Sequence, residues 1–178
     1  MIELYKYTDK EQKELLKSMT ILVDTREKDG KNDHILNWFD AKKIPWRKKK
    51  LDYGDYSVLI PADEALDIPR DLDFSSRIVV ERKANLDEFA TNVSSERDRI
   101  KKELALAPEN KILIIENGSY ADMVNGKYRS QYSAQSYVGT FHSFWHEFNI
   151  PIIFMPDNAY TGQFIVYYFY YYLRNIIK

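Results

Sequence analysis

Residues 112–115, Ile-Leu-Ile-Ile, form an apolar run with no polar position inside it. A half-exposed strand alternates, so an unbroken run of this kind reads as a central strand covered on both faces. Such a strand needs a helical layer on each side, and the rest of the chain supplies the material. Thr8 followed by Glu11 resembles a helix start, with Leu15, Leu16 and Met19 as its buried stripe. Residues 34–43 have helical spacing through Ile35, Trp38 and Phe39. Ser95 with Asp98 caps a helix running to Ala107, which Pro108 ends. Residues 133–148 and 161–177 are two further helices. The remaining strands are 21–23, 46–51, 56–60, 78–80 and 152–155. Hairpin-like strands followed by α/β alternation predict an α/β fold, a mixed central sheet with helices on both faces.

At roughly 150 residues per domain, 178 residues make one domain, 1–178. Within it, 1–18 is an N-terminal helical extension, 61–77 an acidic, Pro-containing insert expected as a solvated loop or, less often, a lid near the cleft, and 161–178 the C-terminal helix. The apolar run 164–173 is far short of the roughly 20 residues that span a bilayer, so no membrane role is expected. The first 17 residues are rich in Lys, Glu and Asp and lack an apolar signal core. No cysteine is present, which excludes a disulfide frame and a Cys-based zinc ribbon. A cytoplasmic setting in a bacterial or phage-encoded system is expected, since abundant Lys, Ile, Asn and Tyr suit an AT-rich genome.

A net charge of −1 gives the molecule no bulk attraction to polyanions, so a nucleic-acid role has to come from local charge. That charge is uneven: Lys42, Lys43, Arg47, Lys48, Lys49 and Lys50 crowd one stretch, and Asp63, Glu64, Asp67, Asp71 and Asp73 another. Alternate residues of a strand point to opposite faces, so half of the Arg47–Lys50 run at most can touch one phosphate backbone. Lys48 and Lys50 are the predicted nucleic-acid contacts.

Three segments place acids at strand ends: Asp24-Thr25-Arg26-Glu27, Gly54-Asp55 and Glu81-Arg82-Lys83. In an extended strand Glu81 and Lys83 share a face and Arg82 takes the other. An acid beside a lysine, with another acid on the neighbouring strand, suits a hard cation such as Mg²⁺, which needs one or two carboxylates and keeps waters. Such an ion lowers the pKa of a bound water and neutralises a phosphate under attack. Lys83 would orient that water, or deprotonate it if its surroundings depress its pKa. This is the pattern of a phosphodiester-cleaving site.

Gly54-Asp55, then Glu81-Arg82-Lys83 and Asp87, resembles GD…ERKxxxD, the signature of the XPF-type structure-selective endonucleases. Val23-Asp24-Thr25-Arg26-Glu27 is similar to that family's first-strand VDxRE element. The resemblance runs from about Met19 to the C-terminus. It implies a restriction-endonuclease-like core of the PD-(D/E)XK type, an Mg²⁺- or Mn²⁺-dependent endodeoxyribonuclease acting on branched or flap DNA and leaving a 5′-phosphate. By that similarity Asp55 and Glu81 hold metal, Asp24 ligates it or positions its hydration shell, and Lys83 acts on the water. Arg26 holds a substrate phosphate or locks the acidic cluster, and Arg97 faces the cleft. Glu27, Arg82 and Asp87 support the site, Arg82 through its backbone carbonyl. The similarity implies no small-molecule cofactor.

The chain as read stops at Lys178, so a stand-alone form without the family's helix-hairpin-helix module is expected. A non-catalytic DNA-binding partner of the same fold, or another PD-(D/E)XK enzyme such as a junction resolvase, stays open. His142 and His146 stand at i and i+4, but the helix lacks the HExxH glutamate and they read as packing or solvated residues; Trp145 reads as core. Residues 164–173 are apolar around the whole helix, which predicts a homodimer through this aromatic surface.

Overall fold

A computed structural model of the chain describes residue 2 and residues 6–27 and 30–177. In chain order the elements are α1 (Asp9–Ser18), β1 (Thr20–Asp24), α2 (Asp33–Ala41), β2 (Trp46–Lys49), β3 (Tyr56–Ile60), β4 (Leu72–Asp73), β5 (Ile78–Lys83), α3 (Leu86–Ser95), α4 (Arg97–Leu106), β6 (Asn110–Glu116), α5 (Tyr120–Val124), α6 (Ala134–Phe148), β7 (Ile152–Met155) and α7 (Thr161–Ile176). Among the described residues the strands form one sheet in the order β2-β1-β3-β5-β6-β7, with β4 beside β3. The β1–β2, β5–β6 and β6–β7 pairs are parallel, and β3 runs antiparallel to β1, β4 and β5. The sheet is therefore mixed, with the 112–115 run inside it and buried throughout, as its lack of alternation required.

The two faces of the sheet are covered unequally. Ile21, Val23, Tyr56, Val58, Ile78, Val80, Ile112 and Ile114 point into one core with residues of α1, α2 and α7. On the opposite face Leu113, Ile115 and Ile152 meet residues of α3, α4, α5 and α6. Over β1 and β3 that second face carries only a small cluster, in which Leu51 lies with Leu22 and Leu59. The helical layer gives way next to β5, and the cleft opens there. At the N-terminus the expected capping box is present: the Thr8 N–H donates to Glu11 Oε2 at 2.7 Å and Glu11 N–H to Thr8 Oγ1 at 3.4 Å. Leu15, Leu16 and Met19 are buried as the stripe predicted.

Three local expectations need correction. Ser95 does not cap a helix; its hydroxyl donates to the Thr91 carbonyl at 2.7 Å, inside the last turn of α3. The next helix starts after Glu96, which makes no side-chain cap, so no capping residue marks the break. The 61–77 insert is exposed over most of its length, as expected, but it is not a free loop. An Asp63–Ile68 bridge, a 3-10 turn at Glu64–Leu66 and β4 order it, and Leu66, Ile68 and Phe74 enter the main core. Trp145 is 36% exposed, lying beside the stripe of Tyr137, Phe141 and Phe144 that α6 buries. No helix among the described residues is long and apolar enough to cross a membrane.

Candidate active site at the ends of three strands

The site is assembled by backbone before any side chain acts. Gly54 has φ +72°, and a Cβ there would meet Val79 Cβ at 2.9 Å and the Val80 carbonyl oxygen at 3.1 Å. Only glycine takes this left-handed turn so close to β5. The turn delivers Asp55 between two strands: its N–H donates to the Val80 carbonyl at 2.8 Å, and its carbonyl accepts from Asp24 N–H at 2.8 Å. The Asp55 carboxylate then accepts from the Arg82 N–H at 2.7 Å. On β5, Lys83 Nζ donates to Glu81 Oε1 at 2.7 Å, both side chains largely buried. A cavity of about 420 Å³ gathers Asp24, Arg26, Glu27, Asp55, Glu81 and Lys83 with Lys31, Glu88 and Arg99.

The electrostatics of this cluster are unbalanced. Burial raises the Asp55 carboxyl well above its ordinary value, and the adjacent Glu81 raises it further, against Lys83 and the Arg82 N–H. Glu27 is likewise pushed up by burial, against the pull of Arg82. Its buried Oε2 makes no hydrogen bond and lies 3.9 Å from Arg82 Nη1. For Lys83, burial works to lower the pKa, but Glu81 and Asp55 more than offset it, and the ammonium is held above its ordinary value. In the cluster as it stands these neighbours hold Lys83 as an ammonium.

Asp24 lines the same cavity, with its carboxylate already engaged. It is 2% exposed, accepts from Arg26 Nε at 2.6 Å and from Leu51 N–H at 3.3 Å, and Arg26 Nη2 in turn donates to the Leu51 carbonyl at 2.8 Å. Arg26 therefore locks the acid. Among the described residues no set of three or more His, Cys, Asp or Glu is drawn together to hold a metal ion. What remains is an oxygen pair on adjacent strands, Asp55 and Glu81, with Glu27 behind it. That set fits a hard cation that keeps several waters, and the burial and like-charge repulsion that raise Asp55 are what a cation would offset.

Four further expected site residues, Arg97, Asp87, Lys48 and Lys50, fall outside the cleft. Arg97 turns away: its Nη1 donates to Thr140 Oγ1 at 3.1 Å and its guanidinium lies over the Phe144 ring. Arg99, two residues on and so on another side of α4, lines the cavity instead, between Glu96 and Glu103. Asp87 accepts from Arg129 N–H at 2.6 Å and Ser130 N–H at 3.1 Å, anchoring the segment before α6. Its neighbour Glu88 faces the cavity and accepts from Ala84 N–H at 2.8 Å. Lys48 and Lys50 are exposed and do not line the cavity.

Behind β5 lies a residue that the sequence reading passed over. Arg82 sends its side chain to the opposite face, where Nη2 donates to Glu116 Oε2 at 2.6 Å and to the Lys31 carbonyl at 3.0 Å. His34 Nε2 meets the other Glu116 oxygen at 2.8 Å. Glu116 is fully buried; burial works to raise its carboxyl, but Arg82 and the surrounding hydrogen bonds hold it below the ordinary range. The signal was present, since Glu116 ends β6 as Asp24 ends β1.

A mixed sheet with an aspartate, a Glu-x-Lys pair and a locked Asp–Arg at neighbouring strand ends defines an α/β protein with an acidic cleft. The model of the ERCC4 domain matches residues 23–168, most of the chain. The chain belongs to the ERCC4-domain family, as the GD…ERK resemblance implied. Its fold is similar to XPF from Aeropyrum pernix, with a TM-score of 0.59 and 20% identity, over 84% of this chain and 59% of that one. It is similar also to XPF from Aeropyrum pernix in complex with DNA, with a TM-score of 0.62 and 20% identity, over 88% and 66% of the two chains. The chain thus spans about three-fifths to two-thirds of those structures. No curated protein matches it.

Proposed function

We propose that this chain is a divalent-metal-dependent DNA endonuclease that hydrolyses phosphodiester bonds in branched, flap or otherwise structured DNA. The observation that carries the reading is the Asp55–Glu81–Lys83 cluster, buried against like charge at the mouth of a cleft in an ERCC4-domain fold. The similar XPF structure in complex with DNA supports the substrate class. Asp55 and Glu81 are the residues that would hold Mg²⁺ or Mn²⁺, with Glu27 reaching toward Asp55 from the adjacent loop. When bound, the ion supplies charge neutralisation at the phosphate and a more acidic water. Lys83, held as a cation, orients the attacking water and offsets charge on the phosphate. Asp24 keeps Arg26 in place, and Arg26 presents its positive charge at the cavity wall.

The reading extends to a homodimer. The inner side of α7 buries Ile165, Val166, Phe169 and Leu173, while Tyr167 and Tyr171 are each 53% exposed. With Tyr160, Phe164 and Tyr168 they line an apolar groove of about 520 Å³. An aromatic surface of this composition favours a second copy. An intracellular setting goes with the DNA substrate.

The test is cleavage of end-labelled flap, fork, nicked, duplex and single-stranded DNA with Mg²⁺ or Mn²⁺, beside Asp55→Asn and Glu81→Gln. Cutting by the wild type alone is expected, with DNA binding retained in both variants. Mn²⁺ should also raise the wild-type Tm, and this rise should vanish in Asp55→Asn. Binding without cutting by the wild type would instead identify a non-catalytic DNA-binding subunit. A monomer in light scattering at micromolar concentration would remove the dimer.

A further inference from the structure

Strand register decides which cations of the basic run stand beside the site. Paired positions on adjacent strands point to the same face, as do positions two apart on one strand. Arg47 pairs with Leu22 and Lys49 with Asp24, so Arg47 and Lys49 share the face of Asp24. Lys48 pairs with Val23, which points into the core on the opposite face. Leu59 pairs with Asp73, and Leu22 with Ser57, two residues before Leu59. Asp73 therefore stands on the Asp24 face as well, across the β1–β3 pair from β2. This is the part of the sheet that the second helical layer leaves uncovered.

Both of these cations are already held by acids of the insert. Arg47 Nη2 donates to Asp71 Oδ2 at 2.7 Å, and Lys49 Nζ pairs with Asp73 Oδ2. The acids are themselves fixed. Asp71 Oδ1 accepts from Ala62 N–H at 3.0 Å, and Asp73 Oδ1 from Ser75 N–H at 2.8 Å. Two carboxylates thus stand on the basic edge strand in the manner of two backbone phosphates. The side chains of both pairs are 28–50% exposed, so the pairs are weak, screened by salt and open to exchange.

We infer that the 61–77 insert is an acidic clasp on the nucleic-acid face: Asp71 and Asp73 hold Arg47 and Lys49 until phosphates of a DNA backbone displace them. The inference rests on the DNA-cleaving reading and changes its contact residues from Lys48 and Lys50 to Arg47 and Lys49. It also accounts for a molecule whose strongest basic run leaves no net positive charge. The clasp lowers affinity for any DNA that cannot engage the cleft as well, so it favours specific over casual binding.

The test measures DNA binding by fluorescence anisotropy over a salt series, in a Glu81→Gln background that keeps the DNA intact. The double variant Asp71→Asn, Asp73→Asn keeps each Oδ1 acceptor and removes the charge. It is expected to bind about tenfold tighter at low salt, with log K falling more steeply against log salt by about one to two, one phosphate contributing about 0.9. Adding Arg47→Gln and Lys49→Gln should cancel the gain. Glu64→Gln with Asp67→Asn removes the same charge from the same insert, away from the ion pairs, and should leave the slope unchanged. An equal gain in this control, or no gain in the Asp71–Asp73 variant while its background protein binds, overturns the clasp alone. Failure of every variant to bind DNA overturns the clasp together with the DNA reading.

Discussion

The two sides of β5 carry the same kinds of residue and reach opposite electrostatic outcomes. On one side Glu81 and Lys83 face Asp55, and the acid is pushed up by burial and by its like-charged neighbour. On the other, Arg82 meets Glu116, and that carboxyl is held down although it is fully buried. The difference lies in pairing. Glu116 has one buried guanidinium with both carboxylate oxygens engaged, whereas Asp55 shares one lysine with a second carboxylate. A matched network fixes structure, and a mismatched one is what a site that binds a cation or a phosphate requires.

The largest expected effect breaks the matched side. Glu116→Ala leaves the buried Arg82 guanidinium with only the Lys31 carbonyl and the more distant Glu27, and should cost about 3–5 kcal/mol in urea unfolding. Loss of less than about 1 kcal/mol would show that the network is not the structural half of the pair. Next comes Gly54→Ala, which forces a side chain into a left-handed turn against Val79. A cost of about 1–3 kcal/mol is expected from the backbone strain, together with loss of cleavage, since Asp55 is the next residue.

The smallest effect sharpens the comparison through pH. A carboxyl whose folded pKa is raised, such as Asp55, costs stability as pH rises from its ordinary 3.8 to the raised value. Asp55→Asn should therefore be more stable than wild type above that window, by about 2–4 °C in Tm without metal, and equal to it below. Glu116 has the opposite sign. Its contribution is present above the ordinary 4.5 and is lost as pH falls through the lowered value. Glu116→Gln should thus be destabilised most at neutral pH and converge on wild type in acid. Parallel pH curves for the two variants would contradict the assignment.

How much of this was legible follows the range of each interaction. The mixed sheet and the buried 112–115 strand are readable because strand alternation is a local rule, whereas the grouping of Asp55 with Glu81 and Lys83 is carried by the GD…ERK resemblance. The sequence points to Arg97 and Asp87, where the structure turns Arg99 and Glu88 to the cavity. A shift of one or two positions on a helix turns a side chain by about 100° or 200°, and the break at Glu96 carries no Gly, Pro or cap to set the phase. Lys48 was preferred to Lys49 because the face of an edge strand depends on register with β1, which the sequence of β2 does not contain. The ion pairs of Asp71 and Asp73 join residues 24 positions apart across two other strands. Charge runs alone suggest two separate patches, where the fold pairs Arg47 and Lys49 of one with Asp71 and Asp73 of the other.

The Tyr56–Val80 pairing that aligns β3 with β5 has a consequence for how the chain tolerates insertions and deletions. The 61–77 segment leaves and returns at the far end of β3, so residues gained or lost there need not move Asp55 relative to Glu81. One residue gained inside β5 would be far more damaging. It would turn Arg82 toward the cavity and an acid toward Glu116, exchanging the two sides of the strand at once. Length is thus a loose variable between the GD and ERK segments and a strict one within them, so spacing across the insert is a poor guide to kinship, and the integrity of each short strand a good one.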